Sequence, residues 1–242
     1  MNWLDYTKRF CDAKERFIYM RAHRKKIWDV SGSSNSIELK ALTIHHGIVY
    51  LNKTDVMEDL PGLTRYVTWV TAPNTQRKRS HNGTIVQYST DMVQCRLSCS
   101  ALWTKLKDIV TPKTIIFAKH KLILDKILTE FDNVVRIDGT TKPSARQRII
   151  DESSERGAML ACSVGAASTG LNATKYNNMV FLECSWSGGE RLQCEARVHR
   201  MGQNDKCIIT YLFIKGTIDE HLWRSLTTKT NRIEQLRTTS IQ

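Results

Sequence analysis

"GLNATKYNNMVFLECSWSGGERLQCEARVHRMGQ", residues 170–203, is the stretch on which the fold turns. Its middle, "NMVFLEC" (178–184), is a short apolar run without polar alternation, the pattern of a strand buried on both faces. "CSWSGG" (184–189) supplies turn residues, and "GGERLQCEARVHR" (188–200) reads as a helix. Strand, loop and helix in that order form the repeating unit of a layered α/β sheet.

The same alternation runs outward from about residue 111. "KTIIFA" (113–118), "NVVRID" (133–138), "AMLACSV" (158–164) and "CIITYLFI" (207–214) are strand-like. "HKLILDKILTEF" (120–131), "PSARQRIIDESS" (143–154), opened by proline, and "TIDEHLWRSLTTKTNRIEQL" (217–236) have helical character. A mostly parallel sheet flanked by helices is therefore predicted.

The first 110 residues differ. "DVSGSSNSIEL" (29–39) reads as a loop entering a helix, "TAPNTQRKRSHNGT" (71–84) as a polar linker, and "STDMVQCRLSCSALWTKLKDIV" (89–110) as one amphipathic helix. "ERFIYMRAHRKKI" (15–27) reads as a basic insertion in loop form.

Composition narrows the class. The chain has 242 residues, 41% hydrophobic and 25% charged, as in an ordinary globular protein. No apolar run approaches the roughly 20 residues of a membrane span, and "MNWLDYTKRF" lacks the apolar core of a secretory signal. Seven cysteines without a C-x-x-C pair point to free thiols in a reducing compartment, cytoplasm or nucleus. His45, His46 and His120 have no further ligand at metal spacing, so no metal site is expected. The net charge of +12, with clusters at "RAHRKK" (21–26) and "QRKRS" (76–80), favours a polyanionic partner such as a phosphate backbone.

In parallel sheets ligands sit beyond the carboxyl ends of the strands. Two loops qualify: "SVGAASTGLNAT" (163–174), where Gly165 and Gly170 permit sharp turns, and "CSWSGG" (184–189). The second feeds a helix on which Gln193, Arg197 and Arg200, four and three residues apart, would share one stripe. Two guanidinium groups there suit a nucleotide's phosphates.

Residues 170–203 also resemble the last two helicase motifs of SNF2-family DNA-dependent ATPases, whose pattern reads G-L-N-L-T, an apolar strand, W-N-P-G, then Q-A-E-D-R-x-H-R-I-G-Q. "IIFAKHK" and "RIDGTTKPSARQRIID" resemble the two preceding motifs of that family's second lobe. "RFCDAK…WDVSGSSNSIELKAL…KTDVMEDLPGLTR" resembles the end of the first lobe in the annealing-helicase branch, which rewinds DNA and remodels stalled forks.

The resemblance implies a RecA-like second lobe and a role for each matching residue. Arg200 matches the finger position, Arg197 the other motif arginine, and Gln193 the glutamine that helps place them. Gly170, Leu171 and Asn172 match the loop coupling nucleotide and DNA. Lys119, His120, Thr140, Ser168 and Thr169 fall where the family contacts DNA, and Arg24, Lys25 and Lys26 of the insertion would add backbone contacts. The implied layout is a mainly helical tail of the first lobe (1–70), a linker and helix (71–110), the second lobe (111–216) and a brace helix (217–242).

The family's phosphate loop, G-x-x-x-x-G-K-[ST], has no counterpart, since no G-K dipeptide occurs. Asp219 and Glu220 of "IDEHL" follow the last motif, where the family has a bracing helix, and are read as structural. The implied cofactor is ATP with Mg²⁺, used only with a first ATPase lobe supplied in trans, and the implied ligand is DNA gripped without sequence preference. Alone the chain is not expected to hydrolyse ATP. The competing reading is a non-catalytic DNA-binding or regulatory lobe. Departures from the family pattern are "WSGG" for W-N-P-G, Ala196 for the aspartate before the first arginine, and "YLN" (50–52) for paired arginines.

Overall fold

The computed structural model describes residues 1–20, 23–48, 57, 59–72, 89–167 and 170–238. The linker beyond Ala72, the "YLN" segment and the Ser168–Thr169 pair lie outside them. The chain divides into two compact units, residues 57–229 and residues 1–56 with 230–242.

The larger unit is built on a six-stranded sheet. Its strands are β3 (Leu63–Val70), β4 (Thr114–Ala118), β5 (Val134–Ile137), β6 (Met159–Ser163), β7 (Asn178–Phe181) and β8 (Cys207–Ile214), in the order β3-β8-β7-β4-β6-β5. Every pair in this sheet is parallel. All five residues of β4 are buried, as a strand covered on both faces requires.

Alternate strand residues serve opposite layers. Phe117, Leu160, Phe181 and Tyr211 pack with Ile150 of α6 (Pro143–Glu155), Val198 of α8 (Gly188–Val198) and Leu222 of α9 (Ile218–Thr238). Ile116, Ala161, Val180 and Leu212 pack with Leu102 and Leu106 of α4 (Ser100–Ile109) and with Ile123 and Ile127 of α5 (Lys121–Glu130). The RecA-like α/β expectation is met by this three-layer arrangement.

Within this unit three sequence expectations change. Residues 63–70, assigned to the first-lobe tail, form β3 and pair along their length with β8. The β-rich run "LTRYVTWV" is an edge strand of the sheet. The 89–110 helix is two helices, α3 (Ser89–Ser98) and α4, because Cys99 is extended. At the break the Cys99 N–H turns to the Arg96 carbonyl at 3.3 Å, a three-residue step, and the Trp103 indole donates to the same carbonyl at 2.8 Å. Gly165 needs no special turn, since it lies inside the four-residue helix α7 (Val164–Ala167).

The smaller unit holds α1 (Trp3–Phe10), β1 (Lys14–Met20), β2 (His23–Asp29) and α2 (Ser36–His45). The inserted segment expected to be a loop is thus an antiparallel hairpin, paired from Lys14↔Asp29 to Met20↔His23. Its runs "RFIYM" and "KKIWD" are rich in aromatic and β-branched residues, which fit a pleated surface, and the interspersed charges concealed this. The Ser34 hydroxyl and the Asn35 amide both donate to the Arg9 carbonyl and close α1 against the loop into α2. The N-terminal extension therefore adds a hairpin to the expected helices and loops.

Candidate functional site

Because the strands are parallel, their carboxyl ends form one edge of the sheet. The turns after β4 and β7 meet there. Glu183, 4% exposed, accepts from the backbone N–H groups of Lys119 and His120 at 2.7 and 2.8 Å, and its other oxygen lies 2.8 Å from His120 Nδ1. The buried Arg96 donates Nε to the Leu182 carbonyl at 2.9 Å, pairs with Glu183 at 3.8 Å and bonds Asp219. Asp219 also accepts from the Ile214 N–H, and burial pushes its carboxyl up from the usual range while Arg96 opposes that. These groups line a cleft of about 190 Å³ whose rim carries Lys119, His120 and Trp186. Asp219 and Glu220, which accepts from the Gly216 N–H, are thus taken up by packing at the start of α9.

Helix α8 starts at this edge, with Ser187 as N-cap accepting from the Glu190 N–H, and runs back toward the start of β8. Eleven residues span about 16 Å, so its far end lies at the amino edge of the sheet. Arg197 and Arg200 belong to that far end and not to the carboxyl edge. Gln193 and Arg197 share a face of α8, whereas Arg200 lies past Val198, the last helical residue, in the following turn. The expectation of one three-residue stripe is corrected accordingly. Gln193 is exposed, and Arg197 and Arg200 are half-buried.

Long-range bonds set this ending. The His199 ring Nε2 is 2.8 Å from the Pro61 carbonyl. Gln203, 5% exposed, donates to the Tyr176 and Val198 carbonyls at 2.8 and 3.2 Å and accepts from the Asp205 N–H. Gly202 adopts φ +92°, a left-handed backbone that glycine takes without strain.

The loop at Gly170, φ +63°, is tied to the same helix end. The Asn172 N–H donates to Gln147 Oε1 at 3.0 Å, and Gln147 Nε2 donates to the Asn172 carbonyl at 3.0 Å. The next N–H, of Ala173, donates to the Arg197 carbonyl at 3.0 Å, and Leu171 is buried. Gly170, Leu171, Asn172 and Arg197 are therefore brought together.

Helix α8 is anchored from below by a charge network. Glu195 accepts from Arg65 of β3 at 2.9 and 2.6 Å, from Arg191 at 2.9 Å and from the Tyr211 hydroxyl. Arg191 also donates to Tyr211 at 2.8 Å.

The remaining predicted residues are dispersed. The Thr140 N–H and hydroxyl both donate to Asp138, at 2.8 and 2.6 Å, so neither donor is free for an outside anion. These two bonds, with Arg136, hold the Asp138 carboxyl down at about 2 against the opposing effect of burial. Arg24, Lys25 and Lys26 lie on β2 in the other compact unit. Sequence reading missed Gln147, Glu183, Gln203 and Arg96. Gln203 stood within the quoted motif, whereas Arg96 carried no local signal. Among the described residues no cluster of three His, Cys, Asp or Glu could hold a metal ion, and the seven cysteines are free thiols. No described helix is long and apolar enough to cross a membrane.

Residues 99–202 match the family of helicase conserved C-terminal domains. Curated relatives span nearly all of the chain. The SWI/SNF-related matrix-associated actin-dependent regulator of chromatin subfamily A-like protein 1 homolog of Caenorhabditis elegans is 27% identical over 97% of this chain and 37% of its own length. The protein of the same name from Xenopus tropicalis is 30% identical over 90% of this chain and 25% of its own length. The mouse DNA annealing helicase and endonuclease ZRANB3 is 27% identical over 94% and 23%. The chain thus spans from under a quarter to over a third of the length of these relatives.

Proposed function

The chain carries the helicase C-terminal lobe of the SNF2 family, and from that premise we propose that it works as the second half of an ATP-dependent DNA translocase of the fork-remodelling or annealing type. In this reading Arg200 and Arg197 reach a triphosphate held by a first ATPase lobe. Gln193 helps to place them, and the 170–172 loop couples their position to DNA. ATP with Mg²⁺, when bound, supplies the phosphoryl group whose transfer to water releases free energy. The phosphate loop and the metal ligands belong to the first lobe.

The carrying observation is the tie between the loop and the arginines. Gln147, Asn172, Ala173 and Arg197 form one hydrogen-bonded path, so a shift of the loop moves the helix end. Planar guanidinium groups then offer several donors to charge building on the transferred phosphoryl group. At the carboxyl edge, Lys119 and His120 take DNA phosphates through their side chains. The seven free thiols fit a reducing compartment such as cytoplasm or nucleus.

The need for a partner lobe has its own support. Among the described residues, the smaller unit leaves Trp3, Leu4, Tyr6, Ile37, Ile44 and Ile48 exposed and buries a single large hydrophobic side chain, Phe10. A unit so poor in core and rich in surface apolar groups is suited to packing against another folded body.

The test is complementation. A first lobe from an annealing-type relative, mixed with this chain and DNA, should regain hydrolysis that neither part shows alone. Arg200→Ala should remove about 10³-fold of the regained rate, and Arg200→Lys nearly as much. Full turnover with Arg200→Ala rejects the catalytic assignment. DNA binding without any regained hydrolysis would leave a non-catalytic DNA-binding lobe as the function.

A further inference from the structure

The hairpin β1–β2 is not accounted for by the nucleotide-facing groups. Its register sorts side chains onto two faces. Lys14, Arg16, Ile18, Lys25 and Asp29 share one. Glu15, Phe17, Arg24, Lys26 and Trp28 share the other. The Trp28 indole donates to the Thr7 hydroxyl of α1 at 3.1 Å, so the base of the second face rests on that helix. Further along the same face lie Phe17 and Arg24. Phe17 is 46% exposed, and the Arg24 guanidinium lies 3.6 Å from the centroid of its ring.

Charge on the hairpin is sorted as well. Lys14 pairs with Asp12, Arg16 with Asp29 and Lys26 with Glu15. Arg24 and Lys25, one on each face near the tip, have no carboxylate partner among the described residues. The exposed planar stack thus includes one of these two cations, Arg24, and Lys25 follows it in the strand on the opposite face. A phenyl ring with a guanidinium laid on it offers a flat, polarisable surface that a third planar group extends, and cations beside it suit the flanking phosphates. An acidic protein surface would use the cations, but to match the stack as well it would need an aromatic ring placed among its carboxylates. An unpaired nucleobase in a strand of DNA satisfies both features.

We propose that the hairpin is a stacking site for an unpaired base of DNA, with Phe17 and Arg24 as the platform and Lys25 on the adjoining phosphate. The proposal rests on the reading of the chain as a DNA-acting lobe. It adds a preference for DNA with unpaired bases that the second-lobe motifs do not supply.

The test uses the full chain with two fluorescently labelled DNAs of equal length, a blunt duplex and a duplex with a single-stranded tail carrying 2-aminopurine next to the junction. Phe17→Ala should weaken binding to the tailed DNA by about 5-fold or more, the range expected for one lost base stack, and abolish the 2-aminopurine quenching. Its affinity for the blunt duplex should not change, and Phe17→Trp should retain both signals. Lys25→Glu should weaken both DNAs and lower the salt dependence by about one phosphate contact. Circular dichroism checks that each variant is folded. A folded Phe17→Ala that binds tailed DNA like the wild type, or loses both DNAs equally, overturns the stacking site. The wider reading is tested separately by Lys119→Glu. If the wild type binds and only that variant is impaired, the hairpin proposal alone fails. If the wild type binds neither DNA, the reading as a DNA-acting lobe fails with it.

Discussion

Gln147 holds Asn172 by both of its backbone groups, accepting from its N–H and donating to its carbonyl at 3.0 Å each. A side-chain amide can do both, since it carries a donor and an acceptor side by side. It fixes the plane of the 172 peptide while Ala173 bonds the end of α8.

Gln147→Ala should therefore reduce hydrolysis by the complemented assembly by about 10-fold, equivalent to one or two net hydrogen bonds. Gln147→Glu, which keeps the shape and loses the donor, should fall between that variant and the wild type. Affinity for blunt duplex should stay the same. Steady-state turnover decides it, and an unaltered rate in Gln147→Ala would remove the loop from the path to Arg197.

Glu195 neutralises Arg191 inside the protein, with Arg65 and Tyr211 completing its bonds. Removing the carboxylate leaves a buried guanidinium without an opposite charge from Glu195, which costs on the order of 3–5 kcal/mol. Urea unfolding of Glu195→Ala should show a loss of that size. The double variant Glu195→Ala with Arg191→Met should recover a good part of it, because the stranded charge is then gone. Additive losses in the double variant would contradict the pairing.

Asp138 makes a prediction about acid. Its carboxyl is held at about 2, below an unfolded value near 4. A depressed carboxyl contributes stability that is complete above the unfolded value and is lost as the pH falls through the folded one. Asp138→Asn should melt below the wild type at pH 6. The gap should narrow from about pH 4 downward and close near pH 2. A melting difference that stays constant over this range would show that the carboxylate charge does not hold the turn.

Binding of the chain to blunt duplex should weaken linearly in log K against log salt, with a slope of about −0.9 for each phosphate neutralised. Lys119→Ala should reduce the magnitude of that slope by about one contact and leave sequence preference unchanged. Titrations at three or more salt concentrations measure it, and an identical slope would place Lys119 away from the backbone.

The sheet was legible because burial on both faces leaves a mark that no neighbour can hide. β4, β6, β7 and β8 are apolar runs, and the helices between them begin and end near their expected positions. What escaped was decided at long range. The end of α8 depends on Pro61 and Gln203, so Arg200 looked helical in sequence and is not. The break at Cys99 depends on an indole four residues further on and has no glycine or proline to announce it. The hairpin escaped for another reason. Its charged residues point to solvent on both faces, so the alternation that marks a half-buried strand is absent.

Glu183 has a further consequence. It occupies the two amides just ahead of α5, next to the helix start where a phosphate would otherwise settle readily. The protein has brought its own anion to that seat. On the proposed reading, a strand of DNA passing this edge finds those two amides already claimed and meets the Lys119 side chain and a His120 ring that Glu183 holds. Contacts of that kind let go one at a time, so the edge can guide a polyanion without trapping it.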